Sequence, residues 1–201
     1  RNGQLRRDLW DQTGLMDLGP DDVAPLPLAP EPDDKNWTWV IERPCPDCGF
    51  DGSAHEPTAT AAVIRTNAAA WVEQLTTRPD VRTRPEPAVW SALEYGCHVR
   101  DVYRLYEYRL SLIEAESPAT FPNWDQDETA ITQRYDLQDP AVVAGELATA
   151  AESLAARFES VTDWSRVGLR SDGAAFTTAT FSQYLVHDPI HHLWDIRVER
   201  S

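Results

Sequence analysis

Tyr184-Leu-Val-His-Asp-Pro-Ile-His-His-Leu-Trp194 decides how this 201-residue chain is read, because it carries three of the five histidines. His187 and His191 stand four residues apart. On a helix that spacing stacks both imidazoles on one face, about one turn apart, which is how a helix offers two nitrogens to one cation. Pro189 lies between them, where it removes one backbone hydrogen bond and crowds the carbonyl of Leu185. Asp188-Pro189 would equally start a new helix. Phe181, Tyr184, His187, His191 and Asp195 nevertheless fall on one stripe through the proline, so the segment is read as one continuous, kinked helix capped by Thr177 or Thr178. His192 projects about 100° from His191 and is assigned to packing or to facing a substrate. Asp188 and Asp195 are either surface charge or acceptors for the second ring N–H of a ligand histidine.

Two imidazoles leave a metal site one ligand short. His98, within Glu94-Tyr-Gly-Cys-His-Val-Arg-Asp101, shares an inward stripe with Val102, Arg109 and Ile113 of another helical pattern. Ser91-Ala-Leu-Glu94 supplies its capping box, and it runs to about Ala115. Inward histidines are commonly hydrogen-bonded core residues, but burying three without partners is costly and one divalent cation satisfies them together. The expectation is a site of His98, His187 and His191 with open positions for chemistry.

Two further helical patterns complete a bundle. Thr58 to about Thr77 places Ala62, Val63, Trp71 and Leu75 at helical spacing, and Asp139-Pro140 reads as cap and first residue of a helix with Val143, Leu147, Leu154 and Phe158 on its apolar face. Between Ser117-Pro118 and Asp139 lies a connection of some twenty residues containing Trp124, a length that points to function. Residues 162–176 suggest a small hairpin or an irregular lid around Ser171-Asp-Gly173. The fold class is therefore all-α: a four-helix bundle over residues 51–201, preceded by an irregular N-terminal extension over residues 1–50. In that extension Leu9-Trp10 and Leu15-Met16 are candidates to dock on the bundle, and Trp37-Thr-Trp-Val-Ile41 is a short strand-like lead-in that packs its tryptophans.

Cys45-Pro-Asp-Cys48 has the spacing of a zinc or redox pair, yet no second pair completes a ribbon. A small zinc site with His55, a reducible disulfide and a packed turn all fit it. Three cysteines argue against a disulfide scaffold and for a reducing compartment. A net charge of −15 repels a phosphate backbone, which excludes nucleic acid as an expected partner. No apolar run is long enough to span a bilayer, so no membrane is expected and a cytoplasmic location is.

The histidine at 98 followed by His187-Asp-Pro-Ile-His-His-Leu-Trp194 resembles the DinB/YfiT-like superfamily of metalloenzymes, over roughly residues 58–198. That superfamily includes mycothiol-dependent maleylpyruvate isomerases and thiol S-transferases. Cys45 to Asp51, Trp124 to Asp127 and Arg170 to Gly173 look like an actinobacterial branch of it. The resemblance implies a four-helix bundle, a divalent metal, zinc or nickel, on His98, His187 and His191, and a homodimer. A glutamate stands in the isomerases where position 187 is aligned, so their substrate does not transfer. The expected activity is S-transfer: the metal activates mycothiol or another small thiol toward an electrophilic substrate. Arg100, Arg104 and Arg170, and also Arg109, are candidates to hold carboxylates of that thiol or substrate. Tyr103, Tyr106 and Trp124 are candidate pocket walls. Metal-dependent hydrolysis is the alternative chemistry, and a metal-stabilised interaction protein the alternative class.

Overall fold

The computed structural model describes residues 25–27, 29–30 and 37–197. Docking by Leu9-Trp10 and Leu15-Met16 lies outside them. Five α-helices follow in order: α1 (Thr60–Thr77), α2 (Ala92–Ala115), the short α3 (Gln126–Thr132), α4 (Pro140–Glu159) and α5 (Thr178–Asp195). The four long ones form the expected bundle, with α4 packed most extensively on α1 and α2. Trp71, Leu93, Leu110, Leu147, Leu154 and Leu185 are buried at their contacts.

Local chemistry sets the helix starts. Ser91 accepts from the Glu94 N–H and the Glu94 carboxylate accepts from the Ser91 N–H at 2.8 Å, so two orphan donors satisfy each other's residues. Glu94 is itself buried and accepts from Arg84 Nε at 2.9 Å, which neutralises a carboxylate taken out of water. Asp139 accepts from the N–H groups of Ala141 and Val142 ahead of Pro140.

The long connection after α2 is not featureless. It contains β1 (Ala119–Phe121), α3 and a 3-10 turn at Tyr135–Leu137. β1 runs parallel to β2 (Val167–Arg170), which pairs antiparallel with β3 (Ala175–Thr177), so the suggested hairpin is part of a three-stranded sheet. The lead-in Trp37–Ile41, read as strand-like, is instead a 3-10 turn. Its β-prone residues have no neighbouring strand to pair with among the described residues, and backbone bonds close locally. The carbonyl of Val40 approaches Gly52 so closely that a Cβ there would lie 2.2 Å from it, and only glycine fits.

α5 passes through Pro189 without interruption. Two side chains of α1 meet it there: Asn67 Nδ2 and Trp71 Nε1 each donate to the Pro189 carbonyl at 3.1 Å. Asn67 Oδ1 in turn accepts from the Tyr103 hydroxyl of α2 at 2.8 Å. Three helices are thus locked in register by one buried amide. Asn67→Ala strands the Tyr103 hydroxyl in the core, which costs about 1–3 kcal/mol. Denaturant unfolding should read that loss, with the midpoint lowered and the slope unchanged.

Candidate metal centre

The two ends of the metal motif meet, but in a different combination from the one expected. His98, Asp188 and His192 form one group whose ligand atoms all lie within 4.8 Å of one another, and Cys45, Cys48, His187 and His191 form a second. Among the described residues His98, His187 and His191 do not form such a group. The reason is angular. Successive residues of a helix project about 100° apart, so His187 and Asp188 face different neighbours, as do His191 and His192. His98 stands on the side of Asp188 and His192, and the N-terminal turn stands on the other.

The first group is built from α2 and α5. His98 is fully buried, clasped between Trp90, with ring centroids 5.4 Å apart, and Trp124, stacked at 5.3 Å and 7°. Trp124 is steadied by its own bond to Thr129 Oγ1 at 2.8 Å, so the connection before α4 serves as a wall for the His98 ring. His98 Nε2 lies 3.3 Å from Asp188 Oδ1, and His192 Nε2 lies 3.8 Å from the same oxygen. Burial alone would raise the Asp188 carboxyl, but the imidazoles of His98 and His192 hold it well below the usual carboxylate range, so it is ionised. Asp195 Oδ2 accepts from His192 Nδ1 at 2.8 Å, which leaves the Nε2 lone pair directed at the centre.

This arrangement fits a divalent cation. Two nitrogens and one carboxylate oxygen suit first-row metals such as zinc or nickel, and ligands bound at about 2.1 Å stand roughly 3–4 Å apart, the range of both imidazole distances to Asp188 Oδ1. Three protein ligands leave the remaining positions to a cavity of about 1480 Å³ lined also by Tyr106, Trp124, Tyr184, Arg109 and Arg170.

In the second group, burial pushes the His187 imidazole down to about 4, with His191 beside it adding to the effect, and burial lowers His191 as well. Both are neutral near pH 7, with lone pairs free to bind. All three cysteines, Cys97 included, are free thiols, and burial pushes Cys48 up to about 11. His55 is not part of this group. Its Nε2 is within hydrogen-bonding distance of Thr60 Oγ1, at 2.8 Å.

The arginines divide as well. Arg100 and Arg104 both pair with Asp101 of α2 and with Glu146 of α4, and neither lines the cavity. Their expected role as thiol or substrate ligands is not supported by this placement: ion pairs have taken their donors. Arg170 does line it, tied to Asp172 and donating to the Tyr184 hydroxyl at 3.2 Å. Arg109 lines it too, stacked over Tyr106 and Phe121 with its Nε buried and unpaired. Tyr106 and Trp124 are cavity walls, whereas Tyr103 is core. The sequence reading gave Asp188 to surface charge or to a ligand's second ring N–H and His192 to packing or a substrate, although Asp188-x-x-x-His192 repeats the spacing of His187-x-x-x-His191 one residue later.

Because Asp195 fixes the tautomer of His192, Asp195→Ala should weaken metal binding at the His98 site about 10–100-fold, and Asp195→Asn, which keeps an acceptor oxygen, should weaken it less. Competition against a fluorescent chelator measures both.

The model of the DinB superfamily matches residues 61–196, from α1 to the end of α5. A solved structure, YfiT from Bacillus subtilis, described as a probable metal-dependent hydrolase with an unusual four-helix bundle topology, superposes with a TM-score of 0.60 at 17% identity, covering 81% of this chain and 96% of that one. Comparison with curated protein sequences returns no match. The helices that carry His98, Asp188 and His192 fall inside the matched span, and the chain belongs to the DinB superfamily.

Proposed function

We propose that the protein is a metal-dependent enzyme whose centre is His98, Asp188 and His192, and that it transfers a small thiol, mycothiol or a relative, onto an electrophilic substrate. The observation that carries the proposal is the convergence of these three ligand atoms at the wall of a large cavity. A divalent cation held by His98, Asp188 and His192 would supply Lewis acidity, which would favour the thiolate form of a small thiol near pH 7. His98 is kept in one orientation by Trp90 and Trp124, and His192 by Asp195, so neither ring reorganises when substrate arrives. Arg170 and Arg109 supply positive charge on the cavity wall and suit the carboxylates of a peptide-like thiol. Tyr184 holds the Arg170 guanidinium toward that space.

Hydrolysis is the second reading, favoured by the description of YfiT and by the same open positions, which admit water as readily as a thiol. A thiol-conjugation screen with mycothiol, glutathione and ergothioneine, run beside a screen of esters and amides without thiol, separates the two. S-transfer predicts thiol-dependent product that disappears on chelation and falls at least about 100-fold in His98→Ala, the order expected when a ligand to the reacting centre is lost. Arg170→Gln should raise KM for the thiol about tenfold and change kcat little, the pattern of lost ground-state binding. Turnover without thiol would establish hydrolysis instead.

A further inference from the structure

The second cluster is not used by this chemistry, and its geometry is that of a different kind of site. Cys45 Sγ and His191 Nδ1 stand 3.6 Å apart. Tetrahedral ligands at about 2.3 Å for sulfur and about 2.05 Å for nitrogen stand about 3.6 Å from each other. A thiol-to-imidazole hydrogen bond would explain that one distance, but not the others. The ligand atoms of Cys48 and His187 lie within 4.8 Å of the same pair. His187 Nε2 is buried and has no hydrogen-bond partner, although His187 is only 4% exposed. An orphaned ring nitrogen in the core costs free energy unless a ligand satisfies it.

The backbone around the cysteines is shaped for the same purpose. Gly49 takes φ +73°, a left-handed conformation that glycine adopts without strain, and its N–H donates to the Cys45 carbonyl at 3.0 Å. That tight turn carries both sulfurs on one side, and the Phe50 N–H is directed at the Cys48 sulfur. Above the site the Trp37 ring lies 5.4 Å from His187 and 5.1 Å from His191, and Phe50 lies 6.0 Å from His187. Aromatic rings thus flank the group, while His187 and His191 also reach the wall of the cavity that His98 lines.

We propose that Cys45, Cys48, His187 and His191 form a closed, structural zinc site that fastens the N-terminal segment to α5, so that the chain carries two metal ions on adjacent stripes of one helix. Two thiolates and two imidazoles are the donor set of structural zinc, with no position left for substrate. The staple joins residues 146 apart in sequence and seats Trp37, Thr38 and Ile41 as one wall of the cavity. Asp195 connects the two sites: one oxygen holds His192, and the other lies 3.9 Å from His191 Nε2.

The test is cobalt substitution of the full chain, with metal content measured alongside. Wild type should hold about two equivalents and show a thiolate-to-cobalt charge-transfer band with intense tetrahedral d–d absorption. His98→Ala should lose one equivalent and keep the band, whereas Cys45→Ser/Cys48→Ser should lose the band and keep the ion at His98. No thiolate band in wild type, or a band that survives the double substitution, overturns the zinc site while leaving the His98 centre untouched. Should the double variant fail to fold, mass-spectrometric thiol footprinting of zinc-loaded wild type decides: Cys45 and Cys48 should resist alkylation until a chelator is added. Equal labelling with and without chelator, or recovery of the pair as a disulfide, overturns the proposal.

Discussion

Everything at the candidate centre depends on the rotational setting of α5, and that setting is held by the carbonyl of Pro189. A proline inside a helix frees the carbonyl one turn earlier and loosens the ladder around it. Here Asn67 and Trp71 of α1 supply donors to the carbonyl of the proline itself, and Tyr103 of α2 holds Asn67. A helix fixed at that point presents residues 187 and 191 to one neighbour and 188 and 192 to another. Turning it by one residue, about 100°, would carry one pair to the neighbour that the other now faces.

That setting explains how two adjacent pairs of helical positions serve two different environments. One side meets α2 and the connection carrying Trp124, which contribute an imidazole and an aromatic wall facing a large cavity. The other meets a short turn from before the bundle, which contributes two thiols and closes over them with Trp37 and Phe50. Three candidate ligands on the first side would leave room for chemistry, and four on the second would suit fastening. Asp195, nearly buried and one turn beyond both histidines of the last pair, touches each side.

The acidic character of the chain has a local counterpart. Most arginines of the bundle are held in ion pairs, Arg65 with Glu152 and Glu159, Arg157 with Glu107 and Glu114, Arg100 with Asp101 and Glu146. The exposed Arg65 pairs add little stability, whereas Arg100 is buried. Arg109 and Arg170 are the guanidinium groups set beside the cavity, Arg170 with Asp172 as its own partner.

Helix starts were legible in the sequence because they are local. Ser91 with Glu94, Asp139 with Pro140 and Thr177 with Thr180 each satisfy backbone donors within a few residues, and the spacing of Trp71, Leu147 and Leu185 marks faces that must be buried. His98 and the C-terminal histidines stood out as candidate metal donors too, from residue type and from the resemblance to the DinB superfamily. Which histidines share an ion was not. His187-x-x-x-His191 and Asp188-x-x-x-His192 are equal as patterns, and only the packing of α5 on α1 and α2 selects between them. The neighbours of Cys45 and Cys48 were equally out of reach, since His191 lies 146 residues from Cys45 along the chain. By itself the sequence determined the helices, their buried faces and the donor atoms available. Tertiary structure decided which donors converge, because convergence depends on helix rotation and long-range docking, and neither leaves a periodic trace along the chain.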